Sequence, residues 1–222
     1  MMMINIFGVI SECVIITYFL CKYFGFRYHD YAIVKSSLFF IIIAIYDYAS
    51  GRYIPSEFVA FWGFFLLTFL FSFIFLKGNV LEKIATCALT FILIASINLP
   101  ILAISSAITN QYPDAILNSN GKTDVLILDT FFSKIIYFGV LQAILLFRRK
   151  EKIVLKAKEW IVIIASFIIS ILIASLVRLL LITHSTQPFF YFFIALCLTA
   201  LDLIILLFII WVNRSISIRE EN

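Results

Sequence analysis

Long uninterrupted apolar stretches, separated by short polar or charged breaks, dominate this chain from end to end. Seven of them approach the length of a membrane span: approximately Ile4 to Phe24, Ala32 to Ala49, Phe58 to Phe75, Leu81 to Ile104, Val125 to Phe147, Trp160 to Ile182 and Pro188 to Trp211. A spanning helix needs about 20 predominantly apolar residues to cross roughly 30 Å of hydrocarbon, and the second and third stretches are the shortest. The stretches are continuous, whereas barrel strands alternate in segments of about 10 residues. Helices are therefore expected, because they satisfy every backbone amide within the segment when no water is at hand. The pattern predicts an all-α, polytopic helix bundle forming one transmembrane domain over residues 1–222. Residues 212–222 are left as a short tail.

The breaks carry an orientation signal, since Lys and Arg accumulate in cytoplasmic loops. With the N-terminus outside, the inner side receives Lys22, Arg27, Lys35, Lys77 and Lys83, the basic run from Arg148 to Lys158, and Arg214 and Arg219. Only Arg52, Lys122, Lys134 and Arg178 of the 17 cations then remain outside or within spans. The expectation is N-terminus out, C-terminus cytoplasmic, multi-pass, in the plasma membrane. Met1 to Phe24 has no early cation, carries Glu12 and lacks a small-x-small cleavage site, so it is expected to stay as the first helix rather than be removed. The connection Lys77-Gly78-Asn79 reads as a tight turn. Ser105 to Asp124, rich in turn formers, reads as a plain outer connector or a lid over an outer pocket.

Composition agrees with lipid rather than water as the solvent. Hydrophobic residues make up 64% of the chain and charged ones 14%, against about 25% charged residues in soluble domains. The net charge of +4 follows from the topology signal, so no nucleic-acid partner is inferred; the bilayer is the first partner, and anionic lipid suits the basic run.

Against that background the ionisable residues inside the spans are the informative ones, because each costs about 2.5 to 3.5 kcal/mol at mid-depth. They are Glu12, Asp47, Asp129, Lys134, Arg178 and Asp202, with Glu57 at the outer boundary. The helical rise of about 1.5 Å per residue puts Glu12 and Lys134 at matching depths below the outer surface. Asp129 and Arg178 share a shallower level with Asp47 and Glu57. Asp129 and Lys134 are five apart, off the spacing at which residues on one helix meet, so partners on other helices are implied. These groups fix helix register, line an outward-facing polar cavity that binds a ligand, or snorkel to the outer surface. Asp202 has no cation at its depth and is expected to be protonated or bonded to a neighbour such as Thr199. Asn98 and Pro100 mark either a local break or an ordinary proline in a spanning helix.

No catalytic, metal or cofactor motif emerges. Cys13, Cys21, Cys87 and Cys197 read as small hydrophobes. His29 and His184 fall on opposite sides of the membrane. Cys21 and His29 share the cytoplasmic edge, but in the reverse order from the membrane cysteine proteases that mature peptide pheromones.

Several short motifs recur in one order along the chain: Ser11-Glu12 through Lys22-Tyr23-Phe24-Gly25-Phe26-Arg27, Phe75-Leu76-Lys77-Gly78-Asn79, Phe132-Ser133-Lys134, Leu155-Lys156-Ala157-Lys158-Glu159-Trp160, and the last helix through Asp202 to Asn213. In these the chain resembles the membrane sensor module of peptide-pheromone receptor histidine kinases of the accessory-gene-regulator type, whose cytoplasmic part is a GHKL ATPase. The resemblance implies a quorum-sensing receptor that recognises a secreted peptide and signals through its last helix. Members of that family continue into a dimerising helix, a phospho-accepting histidine and an ATP-binding domain. No kinase is expected within these 222 residues. The resemblance thus leaves a receptor module, a truncated or split product, or a relative working through another partner, either a second copy or a separate cytoplasmic kinase. The alternative function is a membrane subunit of a transporter, such as a substrate-binding or peptide-immunity component; a purely structural bundle is a third.

Overall fold

The computed structural model describes residues 2–28, 30–53, 57–109 and 123–150. These form five helices: α1 (Met2–Phe24), α2 (Ala32–Tyr53), α3 (Glu57–Phe75), α4 (Val80–Thr109) and α5 (Thr123–Lys150). Among the described residues there is no strand, only an isolated bridge between Phe26 and Leu76. Each helix coincides with one of the first five apolar stretches, and the last two stretches lie outside the described residues.

Three helices are long and apolar enough to cross a membrane, over Ile6–Phe24, Ala32–Ser50 and Ile127–Leu146, and α3 contains a shorter apolar segment, Trp62–Phe75. Large hydrophobic side chains face outward along the helices, with Ile33 on α2 82% exposed and Phe131, Phe132 and Ile135 on α5 each more than half exposed. Water-soluble proteins rarely leave such continuous apolar surface uncovered. Spanning helices and an apolar exterior mark the chain as a membrane protein.

The helices close into a ring. α1 packs against α2 and α5, α2 against α3, α3 against α4, and α4 against α5. Successive helices run antiparallel, which leaves α1 and α5 parallel: Glu12 meets Lys134 and Tyr18 meets Phe138 further along both helices. One end of the ring holds both short connections. They pair through Arg27 N donating to Phe75 O at 2.9 Å and Lys77 N donating to Gly25 O at 3.0 Å. Gly25 (φ 69°) ends α1 in the left-handed region, and Gly78 (φ 107°) makes the second turn, a conformation that costs side-chain-bearing residues roughly 1–2 kcal/mol. Lys22, Arg27, Lys35, Lys77 and the last turn of α5, Arg148 to Lys150, all belong to this basic end.

Two helix limits differ from the hydrophobic pattern. α2 continues through Ser50-Gly51-Arg52 to Tyr53, and α4 continues to Thr109 without interruption at Pro100. The reason is local: Ser50 Oγ donates to the carbonyl of Asp47 at 3.0 Å, and Thr109 Oγ1 to that of Ser105 at 2.7 Å. Hydroxyls that bond their own preceding turn are compatible with a helix, so polarity alone did not end either one.

Candidate functional site

Inside the ring the sequence places polar groups on helices that are otherwise apolar all round, and each must find a partner. Lys134 Nζ on α5 forms an ion pair with Glu12 Oε2 on α1. The two side chains are only 13% and 18% exposed, so the pair is largely shut off from solvent. Gly8, one turn before Glu12, lets the helices approach: a Cβ there would sit 3.3 Å from Thr130 Cγ2 of α5.

Asp47 on α2 is half-buried and lies within electrostatic reach of both Glu12 and Lys134. This corrects its expected grouping with the shallow residues. Because α2 runs on to Tyr53, Asp47 is six residues, about 9 Å, from the helix end, about one turn deeper than a helix ending at Ala49 would put it. The cluster therefore holds two acids and one base on three helices. Tyr137, fully buried one turn beyond Lys134, lies within electrostatic reach of Glu12 and Cys13 and donates its hydroxyl to the carbonyl of Thr90 at 3.3 Å, fastening α5 to α4.

Asp129 stands apart from that cluster. Ser105 Oγ of α4 donates to its Oδ1, while Oδ2 is buried with no hydrogen-bond partner among the described residues. Arg178 and Asp202 lie outside the described residues, and Glu57 is the first residue of α3. The structure thus brings together Glu12, Lys134 and Asp47, and it gives Asp129 a hydroxyl partner that the sequence pattern did not single out.

Lys83 was also missed, being grouped with the loop cations. Its side chain is 1% exposed, donating from Nζ to the carbonyls of Leu76 at 2.7 Å and Phe73 at 3.5 Å and lying 5.9 Å from the centroid of the Phe73 ring. The last carbonyls of a helix lack intrahelical donors and carry partial negative charge; Lys83 caps α3 from the first turn of α4. A cation one turn after a tight antiparallel connection was the available signal. A ladder of hydroxyls completes the interior: Thr68 donates to Phe64 O, Ser72 to Thr68 O, and Ser72 Oγ lies 3.6 Å from Cys87 Sγ. Cys13 and Cys87 are buried free thiols, and Cys21 is half-buried.

No family model, curated protein or solved structure matches the chain. What the site can do is therefore argued from its chemistry. An interhelical ion pair with a second carboxylate in range is an element that a cationic group or a proton would rearrange, and whatever rearranges it acts on α1, α2 and α5 together.

Proposed function

We propose that the chain is the membrane-embedded input module of a signalling system, of the kind its motifs resemble. It crosses the plasma membrane seven times with the N-terminus outside and the C-terminus cytoplasmic, and it responds to an extracellular peptide. The concentration of cations at one end of the ring supports the orientation, that end being the cytoplasmic one. The observation that carries the reading is the Glu12–Lys134 pair with Asp47 in range, set toward the opposite, outward end. With a second carboxyl group in range of the ion pair, the cluster offers a further acceptor to a ligand that brings a positive charge.

Such a ligand changes signalling only if it binds two arrangements of the bundle unequally. Competition for Glu12 would free Lys134 and shift α5 against α1. In this reading the shift passes to the last helix, 188–211, and from there to a cytoplasmic kinase or a second copy of the chain. Arg178 is the proposed partner of the second Asp129 oxygen.

The test uses the full chain in liposomes, exposed to the small-peptide fraction of medium from cells that produce it, with thermal unfolding as the readout. The expected result is a raised unfolding midpoint for the wild type and none for Lys134→Gln. Solute accumulation in the liposomes without a midpoint shift would favour the transporter subunit, and neither effect would leave a structural bundle.

A further inference from the structure

A groove of about 410 Å³ lies between α1 and α2 toward the basic end of the ring, away from the Glu12–Lys134 pair. Its lining is graded along the helix axes. Lys22, Ser36 and Ser37 line its shallow part, while Val14, Tyr18 and Phe40 line the part deeper in the bundle. From Lys22 to Val14 is eight residues, about 12 Å along α1. Between them lies Thr17, 8% exposed, whose hydroxyl is buried with no hydrogen-bond partner among the described residues. That hydroxyl is shut off from the space of the groove and offers it no polar contact.

The order of chemistry down the groove is therefore cation and serines, then an apolar wall. An anionic glycerophospholipid carries the matching order: phosphate, then acyl chain. The sign is set by Lys22, reinforced by Arg27 and Lys77 in the paired connections at the same end, and no acidic side chain is among those lining the groove.

We infer that this groove holds one acyl chain of an anionic glycerophospholipid, with the phosphate at Lys22 and Ser37. The inference rests on the membrane reading and is independent of peptide sensing. Lipid held between α1 and α2 would wedge the two helices whose far halves carry Glu12 and Asp47.

The experiment places the full chain in phosphatidylcholine nanodiscs with a trace of either phosphatidylglycerol or phosphatidylcholine bearing a photoreactive diazirine on its acyl chain, and maps the labelled peptides by mass spectrometry. The phosphatidylglycerol probe is expected to label α1 and α2 about fivefold over the phosphatidylcholine probe, the factor corresponding to about 1 kcal/mol per surface cation. Lys22→Gln removes that preference. Ser37→Trp, which fills the groove and leaves the charge in place, lowers labelling by both probes, with helicity by circular dichroism unchanged. Equal labelling of all lipid-facing helices, or a preference that survives both substitutions, overturns the inference. Release of the chain by alkaline carbonate overturns the membrane reading and the lipid with it, whereas lost headgroup preference in a carbonate-resistant chain overturns the groove alone.

Discussion

The seam between α1 and α5 and the seams that α3 makes with α2 and α4 solve the same problem by different means. Helices that are apolar on every side gain nothing hydrophobic by touching one another in lipid, so packing shape and polar contacts must fix how they meet. Along α1 and α5 the fixing element is charge: the Glu12–Lys134 pair, approached over Gly8. Along α3 it is shape. Phe39 stacks on Phe71 with ring centroids 3.8 Å apart, and Phe64 meets Phe91 edge-on at 5.3 Å. Tyr46 fits over Gly63, where it donates to the carbonyl of Ala60 at 3.3 Å. A charge seam has few alternatives of equal energy but can be switched by another charge. An aromatic seam has no such handle. On the proposed function, the responsive element is the α1–α5 seam and the frame it works against is the packing around α3.

The largest effect is expected at the charge seam. Neutralising Lys134 or Glu12 singly, as Lys134→Gln or Glu12→Gln, strands a partly buried charge and should destabilise the bundle by about 3 kcal/mol, measured by detergent-induced unfolding in bicelles. The double substitution should cost less than the sum of the two. Equal and additive losses would place the pair in water-like surroundings and dissolve the contrast between the seams.

Gly63→Ala probes the aromatic seam. The new Cβ would collide with the Tyr46 hydroxyl, forcing that ring off its site and costing about 2 kcal/mol, within the usual range for overpacking. Tyr46→Phe combined with Gly63→Ala should recover part of the loss, because the nearer colliding atom is gone while ring Cζ, 2.6 Å from the new Cβ, remains. A Gly63→Ala chain as stable as the wild type would show that α2 and α3 are not held by this fit.

A smaller effect is expected at the junction of frame and turn. Lys83→Met keeps the apolar stem but leaves the carbonyls of Phe73 and Leu76 without a donor. The expected cost is about 1 kcal/mol, near the lower end for an orphaned buried acceptor. Hydrogen exchange should report it as faster opening confined to the α3–α4 connection. Opening spread over α1 and α5 would mean that the two regions are not separable.

How much of this was legible in the sequence differs between the two regions. Helix positions were readable over the described residues, because a run such as Ile4 to Phe24 admits no other structure in lipid. Glu12 and Lys134 stood out because charges are rare there, and a constant rise per residue put them at one depth. Asp47 was misplaced by one turn, since Ser50-Gly51-Arg52 reads as a helix end unless the serine bonds its own backbone. Lys83 and Ser105 were missed for a related reason: counting treats a cation as loop and a serine as filler, and only antiparallel packing supplies their partners. The fit of Tyr46 over Gly63 depends on rotational register between two helices, which nothing in either apolar run specifies.

The most direct measurement is a charge exchange across the α1–α5 seam. Glu12→Lys and Lys134→Glu should each destabilise the bundle in bicelles by placing like charges together, and the chain carrying both should regain most of the wild-type unfolding free energy. A double exchange no more stable than the single ones would contradict an ion pair joining α1 to α5.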